Sequence, residues 1–374
     1  MFPAVHFTLL LIVFVSLAIF YRERPVEAKR RLSLITIIDA VSVIILFYCF
    51  TVVIINYLEH GLILDLDKRS YFKYNLILIG QSILFYTIGR IFLGPALRSR
   101  IFLLVFWFIL VIFILVNIDL TSFGLNLESL RPEEKGAYLS LASMFALYSI
   151  VVIAVWENSR IWWYIAIISL VTLFLLHSRG AFIIFLLAVL IGYNILPNFK
   201  KLTVAFTFSV ILIVFALLIG LEYIFVNERM VGIVVNPFED PSFLTRILLA
   251  KSGLDDIVDF TFRGRYGGQI EVFGYIGYYI HNILSYWRQF GLIPFILVII
   301  SSIYLPWRLI HRSSKGFLSG VSSSYRRLLV VLFIYCVLSI ILAKAFEWYF
   351  LWLYVGYASW IAQSSLLQQK IIKT

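Results

Sequence analysis

Three groups of residues in this chain of 374 residues have the types and spacing to do chemistry. The first is His177-Ser178-Arg179-Gly180, which interrupts two apolar runs of about 16 residues each, short for membrane spans. An arginine in that turn can hold a phosphate through two parallel charge-assisted bonds. It can equally snorkel to lipid headgroups from a hairpin that uses Gly180 for its turn. The second group is His281-Asn282. A neutral imidazole can take a proton from a hydroxyl near neutral pH. The plainer reading is an interfacial histidine opening a helix, with Asn282 as its N-cap. The third is Arg263, Arg265 and Arg288 with glycines at 264, 267, 268, 274 and 277, a candidate anion cradle whose backbone could approach a ligand closely. The ordinary fate of such arginines is pairing with Asp255, Asp256, Asp259 and Glu271. Asp39 lies about 10 Å inside an apolar run, counting about 1.5 Å per residue; it reads as paired with a nearby Lys, Arg or Tyr. Lys344 and Glu347 read as partners across a hairpin. No P-loop, dinucleotide fingerprint, HExxH or GxSxG motif occurs, and Cys49 and Cys336 both sit in apolar runs. No metal and no cofactor is expected.

The elements that must position these groups are membrane helices. The chain is 62% hydrophobic and only 14% charged, with a mean hydropathy of +0.98, far from the balance of a soluble domain. Eleven apolar runs qualify as spans of an all-α polytopic membrane protein: 2–21, 32–57, 74–93, 101–118, 137–155, 161–176, 181–196, 202–226, 283–305, 328–345 and 347–363. With the loop at 21–31 inside, the inner segments carry 18 basic and 3 acidic residues and the outer ones 13 basic and 16 acidic. That asymmetry predicts an N-out, C-in topology. It also explains the net charge of +11 as a cytoplasmic anchor on anionic lipid, without nucleic acid. The organisation is then an N-terminal bundle of about eight spans over 1–226, an outer loop over 227–282, and a C-terminal bundle of about three spans over 283–374. A loop this long is usually functional. Asp240-Pro241 reads as a helix start. Phe243, Leu244, Ile247, Leu248, Leu254, Ile257 and Val258 then recur at helical spacing, with Gly253 as a break, so an amphipathic helix on the outer membrane surface or over a cavity is expected.

Taken together, the chain resembles the Wzy-type O-antigen polymerases and, more distantly, the O-antigen ligases. The resemblance is carried by the many aromatic-rich spans with one late outer loop, by Leu175-Leu176-His177-Ser178-Arg179-Gly180-Ala181, and by His281-Asn282-Ile283-Leu284 followed by Phe290-Gly291-Leu292-Ile293-Pro294. Arg263 followed by Gly274 adds to it. Such a resemblance implies a class C glycosyltransferase-like fold with a periplasmic loop in the bacterial inner membrane. It implies a metal-independent, inverting transfer from a glycan on undecaprenyl pyrophosphate to a sugar hydroxyl of a second lipid-linked unit, with a chain-length regulator protein as an expected partner. In that scheme His281 is the general base, Arg179 stabilises the pyrophosphate, and Arg263, Arg265, Arg288 and Asn282 bind substrate. The alternatives are a ligase that delivers the glycan to lipid A-core, or a flippase of the same lipid-linked sugars. A flippase should show internal repeats and midplane polar residues, whereas here the unusual polar residues cluster towards one face.

The topology has a direct test. Ala250→Cys and Leu318→Cys should react with a membrane-impermeant thiol reagent from opposite sides of the membrane; labelling of both from one side would sink the N-out, C-in assignment.

Overall fold

A chain crossing hydrocarbon must satisfy its own backbone hydrogen bonds, which favours helices. The computed structural model describes residues 36–60, 66–119, 124–125, 137–194, 241–274, 279–314 and 321–373. Among them the only extended pairing is the short antiparallel match of Ile118–Asp119 with Gly124–Leu125. The rest of the regular structure is helical, consistent with an α-helical membrane protein. Among the described residues five helices are long and apolar enough to cross a membrane: Ile37–Glu59, Tyr71–Ala96, Tyr138–Trp156, Leu292–Arg312 and Ser323–Leu342. Nine of the eleven expected runs coincide with described helices; those at 2–21 and 202–226, like Asp240, lie outside the described residues. One edge needs correcting. The run expected at 283–305 is two pieces, because the chain turns at Gly291 with φ 87° and the long helix starts at Leu292.

Contacts divide the chain into two compact units that interleave along the sequence. One holds α3 (Arg100–Val116), α4 (Ala137–Trp156), α5 (Ile161–Leu175), α6 (Arg179–Asn194) and the short stretch 330–335. Its centre is α4, where Ala142, Ser143, Phe145, Ala146, Ser149 and Val152 are wholly buried. Two polar pairs are matched inside it: Trp107 Nε1 donates to Ser149 Oγ at 3.0 Å and Tyr148 Oη to the Leu103 carbonyl at 3.0 Å. The outer flank of α3 exposes Ile101, Phe102, Val105, Phe108, Ile109 and Ile112, an apolar surface suited to lipid rather than water.

The other unit is built on α1 (Ile37–His60), α2 (Leu66–Thr87, continuing through a π segment over Ile88–Leu93), α7 (Pro241–Asp259), α8 (Gly268–Phe273), α9 (Leu284–Phe290), α10 (Leu292–Ile299), α11 (Leu305–Ser314) and α13 (Phe350–Lys373); the helix Ser323–Leu342, α12, contributes both its ends. At one end of this unit Asp39 gathers three helices. Thr36 and Asp39 form a capping box that opens α1: Asp39 N donates to Thr36 Oγ1 at 3.1 Å, and Thr36 N to Asp39 Oδ2 at 2.7 Å. The same carboxylate accepts from Arg90 Nε of α2's π segment at 2.9 Å, from Tyr86 and from Ser359 Oγ of α13 at 2.6 Å. Arg90 also donates to Gln363 of α13 at 2.6 Å. The expected pairing of Asp39 is therefore present, but because α1 starts at Ile37 the acid stands in the first helical turn rather than deep in the span. Backbones can come this close because the crossing of α2 and α13 uses glycine on both sides. A Cβ at Gly89 would collide with the Leu353 carbonyl, and one at Gly356 with the Tyr86 carbonyl.

The second π segment, Ile300–Tyr304, interrupts the helical ladder, and Tyr354 donates to the Ser302 carbonyl at 3.0 Å. A side chain on α13 thus occupies a carbonyl next to the bulge.

Gly356→Ala should lower the thermal stability of the detergent-solubilised protein by about 1–3 kcal/mol, the usual cost of overpacking. Gly80→Ala, with open space around it, should be neutral or gain up to about 1 kcal/mol from helix propensity. Equal melting behaviour of the two variants would overturn the close-crossing account.

Candidate functional site

The polar residues of the second unit opposite Asp39 come from the end of the α1–α2 hairpin, from the long loop and from the 343–349 connection between α12 and α13. Here α7 runs unbroken from Pro241 to Asp259. Gly253 does not break it, contrary to the sequence expectation; it makes room for the Ile280 side chain, which a Cβ would strike. Of the apolar stripe, Ile257 turns inward with Leu249, while Leu244, Ile247, Leu248, Leu254 and Val258 are exposed. That is the arrangement expected of an amphipathic helix meeting lipid.

The arginine group resolves into an ion-pair network. Asp256, on α7 and buried, takes Arg265 at 2.6 Å through Oδ1 and Arg288 through Oδ2, with Nε at 2.7 Å. Arg288 has no exposed surface. Arg265 also reaches Glu271 at 2.9 Å, and its partnership with Asp256 pushes its pKa above the usual value. Arg265 and Arg288 are therefore occupied by carboxylates, and the proposed cradle is not open for an anion. Arg263 is exposed, its guanidinium over the Phe260 ring at 5.2 Å. The glycines follow the same logic. Gly264, at φ 72°, is pressed against the backbone of 289–291, and Gly291 against the Phe262 carbonyl. Both serve the meeting of two protein strands rather than a ligand; Gly277 lies outside the described residues.

A second network was not foreseen. Gln269 and Gln289, both fully buried, join through Gln289 Nε2 and Gln269 Oε1 at 2.5 Å. Gln269 donates to Tyr71 Oη at 2.8 Å, and Tyr71 donates to Gln289 Oε1 at 3.2 Å. These bonds fasten the loop to α2. Glutamine carries no titratable charge and no motif marked the pair, so nothing in the linear pattern singled it out.

His281 stands just before α9. Its ring lies 5.1 Å from that of Tyr279. Burial, then the charges of Arg246 and Lys344, lower its pKa to about 4, so it is neutral at physiological pH. Asn282 Oδ1 accepts from Leu284 N at 2.9 Å, closing a turn just ahead of the helix, whose N-cap is Ile283 rather than the expected Asn282. Lys344 and Glu347 do not pair with each other. Tyr74 Oη donates to Glu347 Oε2 at 2.8 Å, and Tyr279 approaches the same carboxyl. Burial raises Glu347 to about 7, and burial followed by Arg246 lowers Lys344 to about 8. Glu347 is the titratable group that the sequence reading undervalued; its only linear signal was an acid in a short apolar hairpin.

Arg179 belongs to the first unit, as the opening residue of α6. The turn before it is made by His177 in the left-handed region at φ 54°, with Ser178 buried beside it. Gly180 is already helical, so the turn does not depend on it, contrary to the sequence expectation. Arg179 thus opens a helix, and the backbone N–H groups of a helix start favour an anion. Among the described residues no group of three His, Cys, Asp or Glu comes together as metal ligands. Comparison with protein-family models, curated proteins and solved structures finds no match.

Asp256→Ala should destabilise the protein by about 3–5 kcal/mol, because it leaves Arg288 charged and buried without its partner. Arg265→Ala, at a half-exposed side chain with the same acid, should cost about 1 kcal/mol or less. Thermal melts in detergent check both; a mild Asp256→Ala would show that the network is not structural.

Proposed function

We propose that this chain is a membrane-embedded glycosyltransferase of the O-antigen polymerase kind, acting at the outer face of a bacterial inner membrane on undecaprenyl-pyrophosphate-linked repeat units. The observation that carries the reading is His281: a neutral imidazole at the exit of the long loop, beside an aromatic ring and with Arg246 and Lys344 in its field. A polymerising transfer needs a group that accepts a hydrogen bond from the acceptor hydroxyl, and a neutral imidazole does so. It also needs fixed positive charge where the leaving pyrophosphate develops its own. Arg246, Arg263 and Lys344, in the unit that carries His281, are cations of the right kind, and Arg179 is the one that the resemblance implies. Arg265 and Arg288 serve Asp256. The acceptor oxygen attacks the anomeric carbon, inverting it, as the bond to pyrophosphate breaks. Exposed apolar flanks on the helices suit lateral entry of two polyprenyl chains.

Purified protein given lipid-linked repeat units, without lipid A-core, should produce a ladder of polymer. His281→Ala should slow it by about 10²–10⁴-fold. Arg179→Lys should recover little of what Arg179→Ala loses, since lysine lacks the two-pronged geometry. No ladder from the unaltered protein would overturn the reading.

A further inference from the structure

Glu347 is held in a way that a purely structural acid does not require. It lies in a tight seven-residue connection between α12 and α13, residues 343–349, and is buried there. The connection is pinned: Phe346 N donates to Ser285 Oγ of α9 at 2.7 Å, and Trp348 N to the Ala345 carbonyl at 3.0 Å. The carboxyl forms no ion pair among the described residues. Oε2 receives the Tyr74 hydroxyl, while Oε1, also buried, finds no donor at hydrogen-bonding distance among the described residues. A buried carboxylate oxygen without a donor is costly, and a structural role would be served as well by glutamine. Tyr279 ties this acid to the candidate site, since its ring rests against His281 and its hydroxyl turns towards Glu347.

Resting on the glycosyl-transfer reading above, we propose that Glu347 is a catalytic residue of that reaction: its Oε1 takes the proton of the acceptor sugar hydroxyl. The hydroxyl O–H bond breaks and the proton passes to the carboxylate. The oxygen bonds to the anomeric carbon, and the carbon–oxygen bond to the pyrophosphate breaks, its electron pair leaving on the phosphate. His281 then meets and orients the hydroxyl, and Glu347 holds the proton at the end. The groups facing the acid are Tyr71 and Tyr74 from α2 and Tyr279 from the loop, with Arg288 of α9 acting on Tyr71 and Tyr349 on Tyr74. Lys344 and, from α7, Arg246 lie around His281. Geometry thus supplies the free oxygen, and the ionisation supports it: a carboxyl raised to about 7 is a far better proton acceptor at neutral pH than an imidazole lowered to about 4.

The test is the pH dependence of polymer formation by purified full-length protein on lipid-linked repeat units. The unaltered protein should lose rate as pH falls through about 7, as Glu347 takes up a proton before substrate can supply it. Glu347→Gln should lower turnover by about 10²–10⁴-fold while donor binding and thermal melting stay near normal. Tyr74→Phe should move the acidic limb to higher pH, because it removes a hydrogen bond that favours the carboxylate; a merely structural contact would not shift that limb. The Tyr74→Phe shift decides the matter if Glu347→Gln proves unstable. Transfer by the unaltered protein with a Glu347→Gln rate within threefold of it, or with the limb at about 4 instead of about 7, overturns the role of Glu347 and leaves the glycosyl-transfer reading standing. Absence of any transfer by the unaltered protein overturns that reading and this inference with it.

Discussion

The carboxylate of Asp39 is the constraint on which the second unit depends. An acid in a chain this apolar is tolerable only if every lone pair is met. Here Thr36, Tyr86, Arg90 and Ser359 all donate to it. Because these partners come from the start of α1, from α2 and from α13, one charge sets the register of three helices. Lipid offers no hydrophobic force between helices, so a polar junction and close backbone packing must do that work. The glycines at 89 and 356 provide the packing where the junction provides the bonds.

The opposite end of the unit is fastened by different chemistry. Asp256 neutralises two arginines, one of them fully buried, and the Gln269–Gln289–Tyr71 network locks the loop to α2. Both networks hold the backbone just before and after His281, so the segment carrying the candidate chemistry is braced on each side. Pre-positioned groups need little rearrangement when charge develops, which is where electrostatic catalysis draws its strength. The pairing of the arginines also separates bracing from chemistry: charge spent on Asp256 is unavailable to a substrate phosphate.

His281 and Glu347 show how environment divides titratable groups. Burial penalises whichever form is charged, so it lowers the histidine and raises the glutamate. The histidine is pushed further the same way by Arg246 and Lys344, whereas the hydrogen bond from Tyr74 and the nearby Tyr279 hydroxyl partly restore the glutamate. Two groups whose ordinary values differ by about two units thereby exchange order, and the acid becomes the stronger base.

Much of the architecture was legible in the residues alone, because crossing a bilayer imposes length and apolarity on each helix. Nine of the apolar runs coincide with described helices, five of which are long and apolar enough to cross; the helix begun at Pro241 follows from its Asp-Pro start, and the partnered state of Asp39 from the cost of a lone acid in an apolar run. The neutral imidazole expected at His281 is also what its surroundings produce, chiefly through burial. What the residues could not decide was partnership across sequence distance. Arg263, Arg265 and Arg288 look alike in a line, yet only the fold brings two of them to Asp256 and leaves Arg263 outside. Gly253 reads as a breaker until Ile280 arrives above it. Glu347 and Lys344, three residues apart, look like a pair, but the turn between α12 and α13 directs the acid to Tyr74, 273 residues away. The physical reason is the same in each case: burial and pairing energies depend on what stands opposite, and that is set by tertiary structure alone.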